Sequence, residues 1–101
     1  MPADLRPKWV QDLYRRIGNE IRKGRLNKNM TQEKLAQALG LSRPAVANIE
    51  KGAQGLDVFR LFEIAGILDL DAVELVRVAK TYRSDPPLEE TPSGRRSPLG
   101  S

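Results

Sequence analysis

Arg43, Ala47, Asn48 and Lys51 occupy the side of a short periodic stretch that Val46 and Ile49 leave unused. An arginine guanidinium is a planar fork of donors that fits the O6 and N7 atoms of a guanine bidentately. The carboxamide of Asn48, one turn further along, fits the N6 and N7 of an adenine in the same manner. Ala45 and Ala47 between them add little beyond permitting close approach. Side chains of these types on one outward face suit hydrogen bonding to the edges of base pairs.

Such a row is useful only if something holds it, and the run TQEKLAQALGLSRPAVANIEKG, residues 31–52, reads as two short helices and a tight turn. Thr31 is an N-cap whose hydroxyl can accept from an unpaired first-turn amide. Leu35, Ala36 and Leu39 make one apolar stripe. Gly40 closes that helix in a left-handed conformation at little steric cost. Leu41 enters the core and Ser42 caps the second helix. Pro44 falls in its first turn, where a missing amide hydrogen costs nothing. Val46 and Ile49 face inward, and Gly52 ends the element. A helix, a glycine turn and a second helix with small and polar outward residues is the layout of a helix-turn-helix.

The run TQEKLAQALGLS, its spacing to NIEKG and the upstream IRKGR resemble the lambda-repressor-like, Xre-type family of DNA-binding domains. The resemblance extends at lower specificity to about Leu75. It implies an all-α, five-helix domain, usually dimeric, that binds double-stranded operator DNA as a transcriptional regulator. Arg43, Pro44 and Asn48 match the family positions that face base edges. Pro44 departs from the hydrogen-bonding residue common there, so readout at that base pair is expected to be apolar or shape-based. Gln32 matches the position that grips a backbone phosphate, and Lys51 matches another backbone position. Ser42 and Gln54 are further phosphate candidates, and Arg22 joins them on charge and helix face alone. Arg25 and Glu50 match an ion pair that ties helix 1 to the end of helix 3, which removes Arg25 from the candidate DNA contacts.

Composition agrees with this direction. Residues 1–52 hold eleven Lys and Arg against five Asp and Glu, whereas residues 53–83 hold four against five and residues 84–101 two against three. The positive charge therefore sits in the half that carries the helix-turn-helix, as attraction to phosphate requires. The chain has no Cys and no His, so thiol chemistry, disulfides, Cys/His zinc sites and histidine acid–base catalysis are excluded. No nucleophile–base constellation or phosphate loop is visible; neither an enzyme nor a cofactor or metal site is expected. No apolar run approaches a membrane span. The N-terminus lacks the apolar core of a signal peptide, and the resemblance implies a cytoplasmic location.

The remaining chain divides into a flexible arm (1–8), the folded domain (9–83) and a Pro-rich tail (84–101) expected to be disordered. Val10, Leu13, Tyr14, Ile17 and Ile21 give helix 1 a core-facing stripe. Gly18 and Gly24 each cost it about 1 kcal/mol relative to Ala. Gly24 replaces a larger residue usual in the family and predicts a loosely packed end. Asp57 caps helix 4, whose buried stripe is read as Val58, Leu61, Phe62, Ala65 and Leu68. Asp71 and Glu74 are spaced as a capping box for helix 5. That helix carries more apolar surface than a terminal helix needs, so it packs back on helix 1 or forms a dimer seam through Val73, Val76, Ala79 and Tyr82. The expected function is a dimeric repressor on a palindromic operator. The alternative is an antitoxin or regulatory partner whose helix 5 or tail captures a toxin or protease.

Overall fold

Five helices form where apolar periodicity and capping chemistry demand them. The computed structural model describes residues 5–81, in the order α1 (Lys8–Asn27), α2 (Gln32–Leu39), α3 (Arg43–Lys51), α4 (Val58–Leu68) and α5 (Ala72–Thr81). No strand occurs among the described residues. The first four residues of the arm, Tyr82, Arg83 and the tail lie outside them.

The caps are local chemistry. Thr31 Oγ1 accepts from the Lys34 amide at 3.0 Å, Ser42 Oγ from Ala45 at 3.2 Å and Asp57 Oδ1 from Arg60 at 2.7 Å. Gly40 and Gly52 close α2 and α3 at φ +70° and +78°. Only half of the expected capping box is formed. Asp71 Oδ1 accepts from the Val73 and Glu74 amides, while the Glu74 carboxylate pairs with Arg77 at 3.3 Å.

Ile17 and Ile21 of α1, Leu35 and Leu39 of α2, Val46 and Ile49 of α3, Ile64 and Leu68 of α4, and Leu75 and Ala79 of α5 form one core. Fully burying one such aliphatic side chain contributes about 1.5–3 kcal/mol. α4 is turned relative to the face expected from its sequence. Ile64 is fully buried, whereas Val58 and Phe62 are 70% and 55% exposed. The helix VFRLFEIAGIL is apolar nearly all round, so periodicity does not select a face. Its two charged residues pair with each other, Arg60 to Glu63 at 2.9 Å.

Both glycines of α1 are contact points. The end of α1 is not loose, because Leu70 fills the place of the missing side chain: a methyl on Gly24 would stand 2.8 Å from Leu70 Cδ1. A methyl on Gly18 would stand 2.4 Å from the carbonyl oxygens of both Ile49 and Glu50. α1 and α3 therefore cross backbone against backbone. α5 packs on α1 and α4.

Candidate nucleic-acid interface

The core face of α3, Val46 and Ile49, is buried, which turns the opposite face outward. Ser42, Arg43, Pro44, Asn48, Lys51 and Gln54 are exposed on or beside it. Arg43 and Pro44 occupy the first turn of α3, and Asn48 follows one turn later. Arg22 is exposed on α1 and takes no part in the side-chain network around α3.

That network begins at Arg43. Its Nη1 donates to Gln32 Oε1 at 3.0 Å, and Gln32 Nε2 donates to Glu50 Oε1 at 3.1 Å. The Gln32 carboxamide can satisfy both neighbours only with its oxygen toward the guanidinium and its nitrogen toward the carboxylate. Glu50 in turn accepts from Arg25 Nε at 2.7 Å and Arg25 Nη2 at 3.1 Å, a two-point fork. Arg25 Nη1 donates to the Met30 carbonyl at 2.7 Å. The side chains of Arg25 and Glu50 are 8% and 3% exposed. One continuous chain of hydrogen bonds thus runs from the first residue of α3 through the start of α2 to the end of α3 and into α1. It fixes α3 relative to α2 and holds Arg43 by one nitrogen while the residue stays exposed.

Three contacts were not foreseen from the sequence. Arg60 Nη1 donates to the Leu39 carbonyl at 3.0 Å and so answers the last turn of α2. Arg6 Nη2 donates to the Gly52 carbonyl at 2.9 Å, and Tyr14 Oη to the Leu56 carbonyl at 3.3 Å. A single arginine in an apolar helix signals that its head must find an acceptor, and that signal was present for Arg60. For Arg6 and Tyr14 there was none, because their partners lie 46 and 42 residues away.

The residues assigned to a dimer seam divide. Val73 is exposed and Val76 lines a groove between α4 and α5. Ala79 is 0% exposed. Its surface is already consumed by the protomer's own core, so it is withdrawn from the seam. Tyr82 lies outside the described residues. The groove measures about 620 Å³ and is walled by Val58, Leu61, Phe62, Val73 and Val76, with Arg77 and Lys80 at its rim. Phe59, which follows Val58 in α4, is 74% exposed. Among the described residues no cluster of three metal-ligating side chains occurs, and no helix is long and apolar enough to cross a membrane.

The sequence pattern of the helix-turn-helix family matches residues 21–75. An HTH-type transcriptional regulator, y4dJ of Sinorhizobium fredii, uncharacterised, is 31% identical over 85 residues, 84% of this chain and 99% of that protein. The restriction-modification controller protein C.AhdI from Aeromonas hydrophila superposes with a TM-score of 0.60 at 30% identity, over 68% of this chain and 99% of the other. The hypothetical transcription factor NHTF from Neisseria does so with a TM-score of 0.61 at 27% identity, over 82% and 97%.

Proposed function

The chain belongs to the helix-turn-helix family of Xre-type, lambda-repressor-like transcriptional regulators, and on that premise we propose that it acts as a repressor, binding an inverted-repeat operator as a homodimer. The observation that carries this reading is the outward row on α3 together with the hydrogen-bond chain that holds its first residue.

In this reading α3 lies in the major groove. A guanidinium has five N–H donors, so Arg43 can keep Nη1 on Gln32 while its other donors meet the O6 and N7 of a guanine. The arm that reads the base is therefore ordered before DNA arrives, which lowers the entropy lost on binding. Asn48 pairs with an adenine one turn along. Pro44 between them offers apolar contact to a thymine methyl. The carboxamide of Gln32 is engaged at both ends, so α2 meets phosphate chiefly through its first-turn amides; the Thr31 cap answers Lys34 and leaves those of Gln32 and Glu33. Ser42, Lys51, Gln54 and Arg22 supply the other phosphate contacts.

Two bidentate contacts, at roughly 1–3 kcal/mol each, are too few to find one operator among many sites. A second copy doubles them, and twofold symmetry in the protein requires it in the DNA. Val58, Phe59, Phe62, Val73 and Val76 form the apolar surface on which a second copy would sit, consistent with what contiguous exposed apolar patches usually mark. The seam proposed here is thus centred on α4 and the start of α5.

Selection of bound duplexes from a random DNA pool, with the full chain at near-physiological salt, tests the reading. The expected result is an enriched inverted repeat with a guanine in each half-site that becomes indifferent in Arg43→Ala. Salt-sensitive binding without enrichment would overturn it. The groove would then be the docking face of another protein, as in the antitoxin reading.

A further inference from the structure

Lys51 closes α3 and Gln54 stands in the loop behind it, which leads to α4. That loop is tied at one end to Arg6, just before α1, and at the other to Tyr14 within α1. Gly52 turns the chain out of α3, and its carbonyl oxygen accepts from Arg6. At the far end the Leu56 carbonyl accepts from Tyr14. The two donors are coupled, because the Arg6 guanidinium lies 5.0 Å from the centroid of the Tyr14 ring, within cation–π range. The backbone from which Arg6 reaches is itself held: Gln11 Nε2 donates to the Arg6 carbonyl at 2.7 Å, and the Pro7 carbonyl accepts the Val10 and Gln11 amides at 3.0 Å each. A helix C-terminus carries partial negative charge, so a guanidinium on the Gly52 carbonyl is well placed electrostatically.

From this geometry we infer that Arg6 and Tyr14 are positioning residues for DNA binding, a clasp across the α3–α4 loop that sets where Lys51 and Gln54 stand without itself touching DNA. The inference rests on the operator-binding reading above. It also gives the segment before α1 the role of a tether in place of the flexible arm expected there. A loop held in its binding conformation loses less freedom when phosphate arrives. Releasing one of its two ties should therefore weaken binding to every sequence, operator or not, by about 2- to 12-fold.

The test measures dissociation constants of the full chain on its selected operator and on random DNA. The variants are Arg6→Ala and Tyr14→Phe, each alone and in a Lys51→Ala/Gln54→Ala background. A melting curve for each identifies the temperature at which all are folded. Tyr14→Phe changes no charge and keeps the ring, so it carries the test even where Arg6→Ala folds poorly. The clasp predicts weaker binding by both single variants at that temperature, and loss of most of this effect in the background lacking Lys51 and Gln54. If Arg6 instead contacts phosphate, Tyr14→Phe binds like the native chain and the Arg6→Ala effect persists in that background. If the two residues are only structural, melting falls while affinity stays. Either result overturns the inference while leaving operator binding standing. Failure of the native chain to select DNA overturns both.

Discussion

Replacing Glu50 by alanine should cost the domain a large part of its stability, although it deletes one side chain from the end of a nine-residue helix. The carboxylate accepts three hydrogen bonds, two from Arg25 and one from Gln32, at 2.7, 3.1 and 3.1 Å. Its removal leaves the Arg25 guanidinium buried with the Met30 carbonyl as its remaining acceptor among these contacts. Breaking a buried pair by removing one partner costs about 3–5 kcal/mol. A domain of this size has about 4–12 kcal/mol in total. Urea unfolding followed by helix circular dichroism measures the loss. With an m-value of about 1 kcal/mol/M, the midpoint should fall by about 3 M or more, and a marginal domain would be partly unfolded without urea. The double variant Arg25→Met/Glu50→Leu separates the stranded charge from the lost contacts. It removes both charges and fills the space with apolar groups, so it should be more stable than Glu50→Ala alone. It should nevertheless bind operator poorly, because Gln32 has lost its acceptor and Arg43 its anchor. A loss below about 1 kcal/mol for Glu50→Ala, or a double variant less stable than the single one, would refute the reasoning.

Arg43→Ala should abolish preference at one base pair per half-site, worth roughly 1–3 kcal/mol, and leave affinity for random DNA nearly unchanged; equal losses on both would remove Arg43 from base reading. Gly18→Ala improves helix propensity by about 1 kcal/mol, but its methyl meets two α3 carbonyl oxygens that cannot rotate away. Overpacking at about 1–3 kcal/mol should prevail and lower the melting temperature by several degrees, and a rise in calorimetry would show that α1 and α3 part easily. Phe62→Glu with Val73→Glu, both exposed in the protomer, should leave the helix content unchanged and hold the protein monomeric in sedimentation equilibrium; dimers at native strength would move the seam elsewhere.

What could be read from the sequence follows the range of the interactions. Caps at Thr31, Ser42 and Asp57 and left-handed exits at Gly40 and Gly52 are decided within four residues, and the letters carry them. The buried face of α4 is not legible, because an all-round apolar helix offers no period to read: Ile64 is buried, while Val58 and Phe62 of the expected stripe are exposed. The Arg25–Glu50 pair entered only through resemblance, since neither residue's charge distinguishes an ion pair from a solvated surface. Gly18 was visible as a cost to α1, but the carbonyls that require it lie on another helix. Arg6 and Tyr14 reach across more than forty residues to backbone carbonyls, and a carbonyl acceptor leaves no mark in a sequence. Ala79 looked like part of an outward stripe until the packing of α5 consumed it.

The glycine crossing of α1 and α3 has a mechanical consequence. Most helix pairs meet through side chains, whose rotamers act as springs and let the axes slide by fractions of an ångström. At Gly18 and Gly52 the contact is main chain on main chain, with no room for even a methyl group, and such a joint has a hard stop. α3 cannot be pushed inward by a misfitting base pair. In the proposed operator complex, strain from an imperfect site would then have to be absorbed by the bending of the DNA or by the proposed seam between copies, and each copy would meet DNA as a stiff probe whose tolerance lies outside itself.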